Sequence, residues 1–136
     1  MRSRWEALRT GDVTMPVNDT LGFVALGGGE DGVRFSWVVP EAYCNSAGGA
    51  QGGVLAAFAD ALLGAAAAVH LDEDHYPALA EMKISICRPA PAGTELTGVG
   101  RVLKRGRRVL FVEAEITDAS GALIAKASGT EIPTRA

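Results

Sequence analysis

Between Val54 and Val69 every residue is Val, Leu, Ala, Phe or Gly, with the single exception of Asp60. Apolar residues fill all faces of the run rather than one stripe. It therefore reads as a helix, from about Gly53 to His70, buried on most of its surface. It is shorter than the ~20 apolar residues of a membrane span, and it carries a charge. Elsewhere the period changes. In "LFVEAEIT", Val112, Ala114 and Ile116 alternate with Phe111, Glu113 and Glu115, as in a strand with one buried face. "MKISIC" alternates more weakly, and Cys87 at its end is expected in the core. "LGFVALGGGEDGVRFSWVV" holds two β-prone runs around a Gly/Asp turn, a hairpin closed by Pro40. "KRGRR" and "DASG" mark further turns among the β-rich stretches that follow the helix. Trp5 and Leu8, at helical spacing ahead of Gly11, predict a short N-terminal helix. The order is thus short helix, hairpin, long helix, then about four strands. That order predicts an α+β fold, one antiparallel sheet of about five or six strands wrapped on one long helix.

The 136 residues suit a single domain, 1–136, in which 1–19 form the N-terminal helix and lead-in. Hydrophobic residues at 48% and charged residues at 21% are ordinary for a folded globular chain, which sets disorder aside. A net charge of -3 argues against nucleic acid or an anionic membrane as the main partner. The basic opening has no apolar segment behind it, so no secretory signal is visible and a cytoplasmic protein is expected. Cys44 and Cys87 are then free thiols in a reducing compartment.

Asp60 is the residue that asks for chemistry. One edge of the helix could lie in water and simply expose it. Yet its helical neighbours are Ala56, Ala57, Leu63 and Gly64, none of them polar, and Asp is a poor mid-helix residue. A carboxylate without a partner in apolar surroundings is costly, so such groups are paired, protonated or functional. The loop "CNSAGGAQGG" offers a second half. A helix start leaves backbone N–H groups free, and Gly52 and Gly53 leave them accessible, as the developing oxyanion of an acyl transfer requires.

Other candidates are weaker. Gly27, Gly28 and Gly29 lack a phosphate-loop pattern and belong to a turn. His70 and His75 in "HLDEDH" flank Asp72, Glu73 and Asp74, which read as a solvated acidic loop, so no metal and no cofactor is expected. Cys44 is tied to no His by any motif and is not a strong nucleophile candidate.

The segment "NSAGGAQGGVLAAFADALLGAAA" resembles the hotdog-fold acyl-CoA thioesterases, in the branch similar to the phenylacetate-pathway enzymes. That family carries an Asn, a His-Gly-Gly opening the helix, an Asp eight residues after the first of those glycines, and then a small residue. Asn45, Gly52, Gly53, Asp60 and Gly64 fall on these positions. The later strands agree, including Arg88-Pro89-Ala90 and the turn Lys104-Arg105-Gly106-Arg107, so the resemblance spans roughly residues 20 to 132. It implies the hotdog fold and hydrolysis of a small, medium-chain or aromatic acyl-CoA. In that implication the Gly52 N–H polarises the thioester carbonyl, Asn45 orients it or the attacking water, and Asp60 is general base or nucleophile. Gln51 belongs to the same constellation, with Gly53, Gly64, Leu79, Arg88, Lys104, Arg105 and Arg107 on the binding side. Two positions depart: Gln51 replaces the family's His, and Leu79 stands where Ser or Thr is frequent. These departures leave a second reading, a catalytically weak acyl-CoA-binding protein. A hydratase is disfavoured, because no D-x-x-x-x-H pair follows Asp60.

Helix geometry adds a constraint. Eight residues rise about 12 Å, whereas a nucleophile must come within about 3 to 3.5 Å of the carbon it attacks. Asp60 is therefore expected to serve the Gly52 and Asn45 of a second chain. The resemblance likewise implies a homodimer with shared sites, further paired as a dimer of dimers.

Overall fold

A computed structural model describes residues 2–136. The chain opens with α1, Arg4–Thr10, whose start is fixed by a reciprocal capping box between Ser3 and Glu6. Gly11, at φ 83°, ends it in the left-handed conformation that glycine adopts without strain. A second short helix, α2, covers Pro16–Leu21 with proline in its first turn. Then come β1 (Val24–Gly29), β2 (Gly32–Val38), a 3-10 turn at Glu41–Tyr43, and the long helix α3 (Gly52–Ala68). Four strands follow: β3 (His75–Ile86), β4 (Glu95–Arg105), β5 (Leu110–Asp118) and β6 (Leu123–Arg135).

All six strands lie in one sheet, ordered β1-β2-β4-β5-β6-β3, and every neighbouring pair is antiparallel. Helix α3 packs on its concave face, the hotdog arrangement expected from the sequence. Phe58 of α3 meets Phe23 and Trp37 at ring-centroid distances of 5.0 and 5.6 Å, and the Trp37 indole N–H donates to the Leu21 carbonyl at 2.9 Å. On β4, Gly98 and Gly100 let the strand touch the helix. A Cβ at either would collide with Leu62, at Gly98 with its side chain and at Gly100 with its carbonyl oxygen. Burial on β5 falls on Leu110, Val112, Ala114 and Ile116, as the alternation predicts.

Two expectations are corrected. Cys87 is exposed rather than in the core, because it has the parity of the exposed Lys83 and Ser85 and not that of the half-buried Met82 and Ile84, and its N–H still donates to the Ile124 carbonyl of β6 at 2.7 Å. The long helix is less enclosed at Asp60 than its composition implies. Asp60 is exposed in the single chain, on the side of α3 that faces a cavity instead of the sheet.

Candidate active site

The residues singled out in the sequence divide between two hollows. Asn45, Gly52 and Arg88 line the smaller, about 350 Å³, together with Ile86 and Cys87. Asp60, Gly64 and Leu79 line the larger, about 680 Å³, which lies between α1, α2, the middle of α3 and the start of β3. Within one chain the oxyanion candidate and the acid do not share a pocket.

The smaller hollow is built on the start of α3. Gln51 is the N-cap residue, and the helical ladder begins with the Val54 and Leu55 N–H groups donating to the Gln51 carbonyl at 2.9 and 3.1 Å. The Gly52 and Gly53 N–H groups precede that ladder and point out of the helix end. A Cβ on Gly52 would press on the Ile86 Cδ1 atom at 3.2 Å, whereas Gly53 has open space around it. Asn45 holds the loop through its side-chain oxygen, which accepts from the Ala47 and Gly49 N–H groups at 3.0 and 3.3 Å. Its amide NH2 is the part left to reach a ligand. The Gln51 side chain caps nothing and is exposed, outside the lining of either hollow.

The larger hollow is mostly apolar. Trp5, Leu8, Val17 and Phe35 wall it from the N-terminal helices and the sheet, and Ala57, Ala61 and Gly64 keep the α3 side low. No atom lies within 4 Å of a Cβ built on Gly64, so a larger residue there would project into free space. Leu79 is 39% exposed and supplies no hydroxyl beside the acid. The protein around Asp60 strips away enough water to push its carboxyl above the ordinary carboxylate range, although the cavity keeps it in reach of solvent.

The basic turn takes a third position. Lys104, Arg105 and Arg107 lie where β4 hands over to β5, and Arg105 donates to the His70 carbonyl just past the C-terminal end of α3. That contact suits the negative end of a helix dipole. His75, weighed in the sequence for metal, instead shares a 2.7 Å contact with Asp72 that draws the Asp72 carboxyl below its usual range.

The sequence reading missed Glu131. It sits on β6 facing α3, is 0% exposed, and neither carboxyl oxygen has a hydrogen-bond partner among the described residues. Burial, reinforced by the nearby Asp60 charge, pushes its carboxyl up to about 8. The signal was present: period two from Ala125, Ala127 and Gly129 puts Glu131 on the buried face.

Comparison with known proteins gives the chain its relatives. The thioesterase superfamily model matches residues 47–125, more than half the chain. The structure superposes on the phenylacetic acid degradation-related protein of Ralstonia eutropha with a TM-score of 0.87 and 29% identity, covering 95% of this chain and 98% of that one. The PaaI protein of the Escherichia coli phenylacetic acid degradation operon gives 0.85 at 18% identity, covering 96% and 92%. A Streptococcus mutans protein bound to acetyl CoA gives 0.75 at 22% identity, covering 83% and 89%. These last two bear on the fold alone. No curated protein matches the chain. The chain belongs to the thioesterase superfamily, in the branch similar to the phenylacetic acid degradation-related proteins, and is a thioester hydrolase on the hotdog fold.

Proposed function

We propose that this protein hydrolyses small, medium-chain or aromatic acyl-CoA thioesters in the cytoplasm, at sites shared between two copies of the chain. The observation that carries this reading is the division of the site. Asp60 opens into a largely apolar hollow that suits an acyl group, while Gly52 and Asn45 open into a separate one at the helix start. Joining the Asp60 of one protomer to the Gly52 of another removes the separation that one helix imposes. The free edge of β3, twelve residues long with Tyr76, Leu79 and Ile86 exposed, offers a second copy both unpaired backbone groups and apolar surface. A dimer of dimers is a further pairing of the same unit.

In the shared site the Gly52 N–H donates a hydrogen bond to the thioester oxygen as negative charge develops on it, and the Asn45 amide steadies the carbonyl or the water. Asp60 either takes a proton from water or attacks the carbonyl to form a mixed anhydride that water then opens. Either route releases CoA thiol and the free acid. Arg88 flanks the Gly52 hollow, and Lys104 and Arg107, exposed beyond the end of α3, have the charge to meet CoA phosphates.

The test is thiol release over a panel of acyl-CoAs of graded chain length and aromatic content, for the parent and for Asp60→Asn. The parent is expected to prefer part of the panel. The variant should lose at least about a hundredfold in turnover, the low end for general base catalysis, while still binding the esters. Equal rates in parent and variant would make Asp60 structural.

A further inference from the structure

Glu131 is the one charged or polar residue among those described that is wholly buried, and burying a carboxyl with both oxygens unpartnered calls for a cause. Its surroundings are specific. Across the sheet it pairs with Leu79 on β3 and Leu110 on β5, both apolar. Two residues back on the same face, Gly129 lies against Leu63 of α3 and against Leu79, so this part of β6 rests on the helix that carries Asp60. Leu79 also lines the Asp60 cavity. The titratable group that bears on Glu131 from α3 is Asp60. Glu81 of β3 is exposed and bonded to Thr130 at 2.8 Å.

We propose that Glu131 is a positioning residue for Asp60, a carboxyl kept protonated behind the acid so that the pair carries one negative charge, held at the solvent-accessible member. The inference rests on the reading of Asp60 as the acid of the site. Its physics is that of two carboxyls in one water-poor region, which cannot both ionise cheaply. Their solvation decides the allocation. Asp60 faces a cavity that admits water and keeps the charge, whereas Glu131 is enclosed and keeps the proton. With Glu131 neutral, Asp60 serves a site in which further negative charge can develop on the thioester oxygen. Once Glu131 ionises, a second fixed negative charge stands behind the same centre and opposes that development.

Two measurements test this on the full-length protein. The first follows the Glu131 carboxyl by carbon-13 NMR in a glutamate-labelled sample, assigned by its loss in Glu131→Gln. A midpoint near 8 is expected in the parent, held up first by burial, and it should fall in Asp60→Asn, where the neighbouring charge is gone. A midpoint in the ordinary carboxylate range, or one that Asp60→Asn leaves in place, overturns the proposal. This arm needs no catalysis, so it stands even if no acyl-CoA proves to be a substrate. The second compares kcat/KM against pH for parent and Glu131→Gln, with uncatalysed hydrolysis subtracted. The parent is expected to lose roughly tenfold on the alkaline side, the size of one pKa unit of interaction, and Glu131→Gln should not show that limb. The same alkaline limb in both proteins overturns it, because a purely structural residue would leave the shape of the profile unchanged.

Discussion

Replacing Gly52 by proline would remove the assigned oxyanion donor and leave the helix standing. Gly52 is the first residue of α3, the position where proline is most at home, because its missing N–H has no place in the helical ladder. The residue before a proline must be extended, and Gln51 already is, at φ -59° and ψ 134°. The ladder bonds from Val54 and Leu55 to the Gln51 carbonyl do not involve the Gly52 nitrogen. The new Cβ would meet Ile86 Cδ1 at 3.2 Å, the far end of a flexible side chain. Gly52→Ala adds the same Cβ and keeps the N–H, so the two variants isolate the donor. Loss of one oxyanion-hole donor costs about a hundred- to a thousandfold in kcat, or about 3 to 4 kcal/mol. The assay is steady-state thiol release from the best acyl-CoA of the panel, beside thermal unfolding and CoA binding. The proline ring occupies the space of the lost hydrogen, and CoA binding distinguishes a missing donor from a blocked entrance. The expected result is Gly52→Ala within about threefold of the parent and Gly52→Pro down at least about a hundredfold, with unfolding unchanged. Should Gly52→Pro turn over as fast as Gly52→Ala, the oxyanion is held elsewhere and the site has been wrongly built.

Three further outcomes are expected. Co-expressing Asp60→Asn with Gly52→Pro gives, by random pairing of a dimer, half mixed dimers with one intact site in two, so about a quarter of parental activity returns; no recovery above the separate variants would refute shared sites. Gln51→His should change turnover by less than about tenfold, or about 1.4 kcal/mol, because Gln51 caps nothing and lines neither hollow; a hundredfold gain from a near-inactive parent would instead assign proton transfer to this position. Glu131 is protonated in the fold and ionised in the unfolded chain between about 4.5 and 8, so the unfolded state binds fewer protons there and stability falls as pH rises. Denaturant unfolding at fixed protein concentration should show the advantage of Glu131→Gln over the parent growing by up to about 1.4 kcal/mol per pH unit across that window; a constant difference would mean Glu131 has no raised pKa.

The elements that the sequence made legible are those whose pattern has one dominant cause. Helix α3 is apolar all round because sheet and cavity flank it, and that uniformity makes Asp60 visible. Strand β5 alternates because one face meets α3 and the other meets water. Helix α2 had no such signature: six residues, no apolar stripe and no side-chain cap leave only Pro16 to mark it. Cys87 misled because its apolar residue type outweighed its parity, since counting by two from Lys83 and Ser85 puts it on the exposed face of β3.

The candidate site divides in the same way. Sequence spacing alone could show that Gly52 and Asp60 lie too far apart along one helix, since helical rise is fixed by the backbone. It could not show which hollow each faces, because that depends on how α1, α2 and the turn of β3 close around the middle of α3. Glu131 was hidden for a related reason. A single Glu among Ser, Gly and Thr reads as polar surface by composition, although period two from Ala125 already puts it on the buried face, opposite Leu79 and Leu110. What distinguishes it from Asp60 is solvation rather than residue type. One carboxyl opens to a cavity and the other is enclosed with no hydrogen-bond partner among the described residues, so burial raises both and holds the proton more firmly on Glu131. In the proposed pairing, the acid of the apolar helix is one half of an electrostatic arrangement, and the other half comes from a strand more than sixty residues later in the chain.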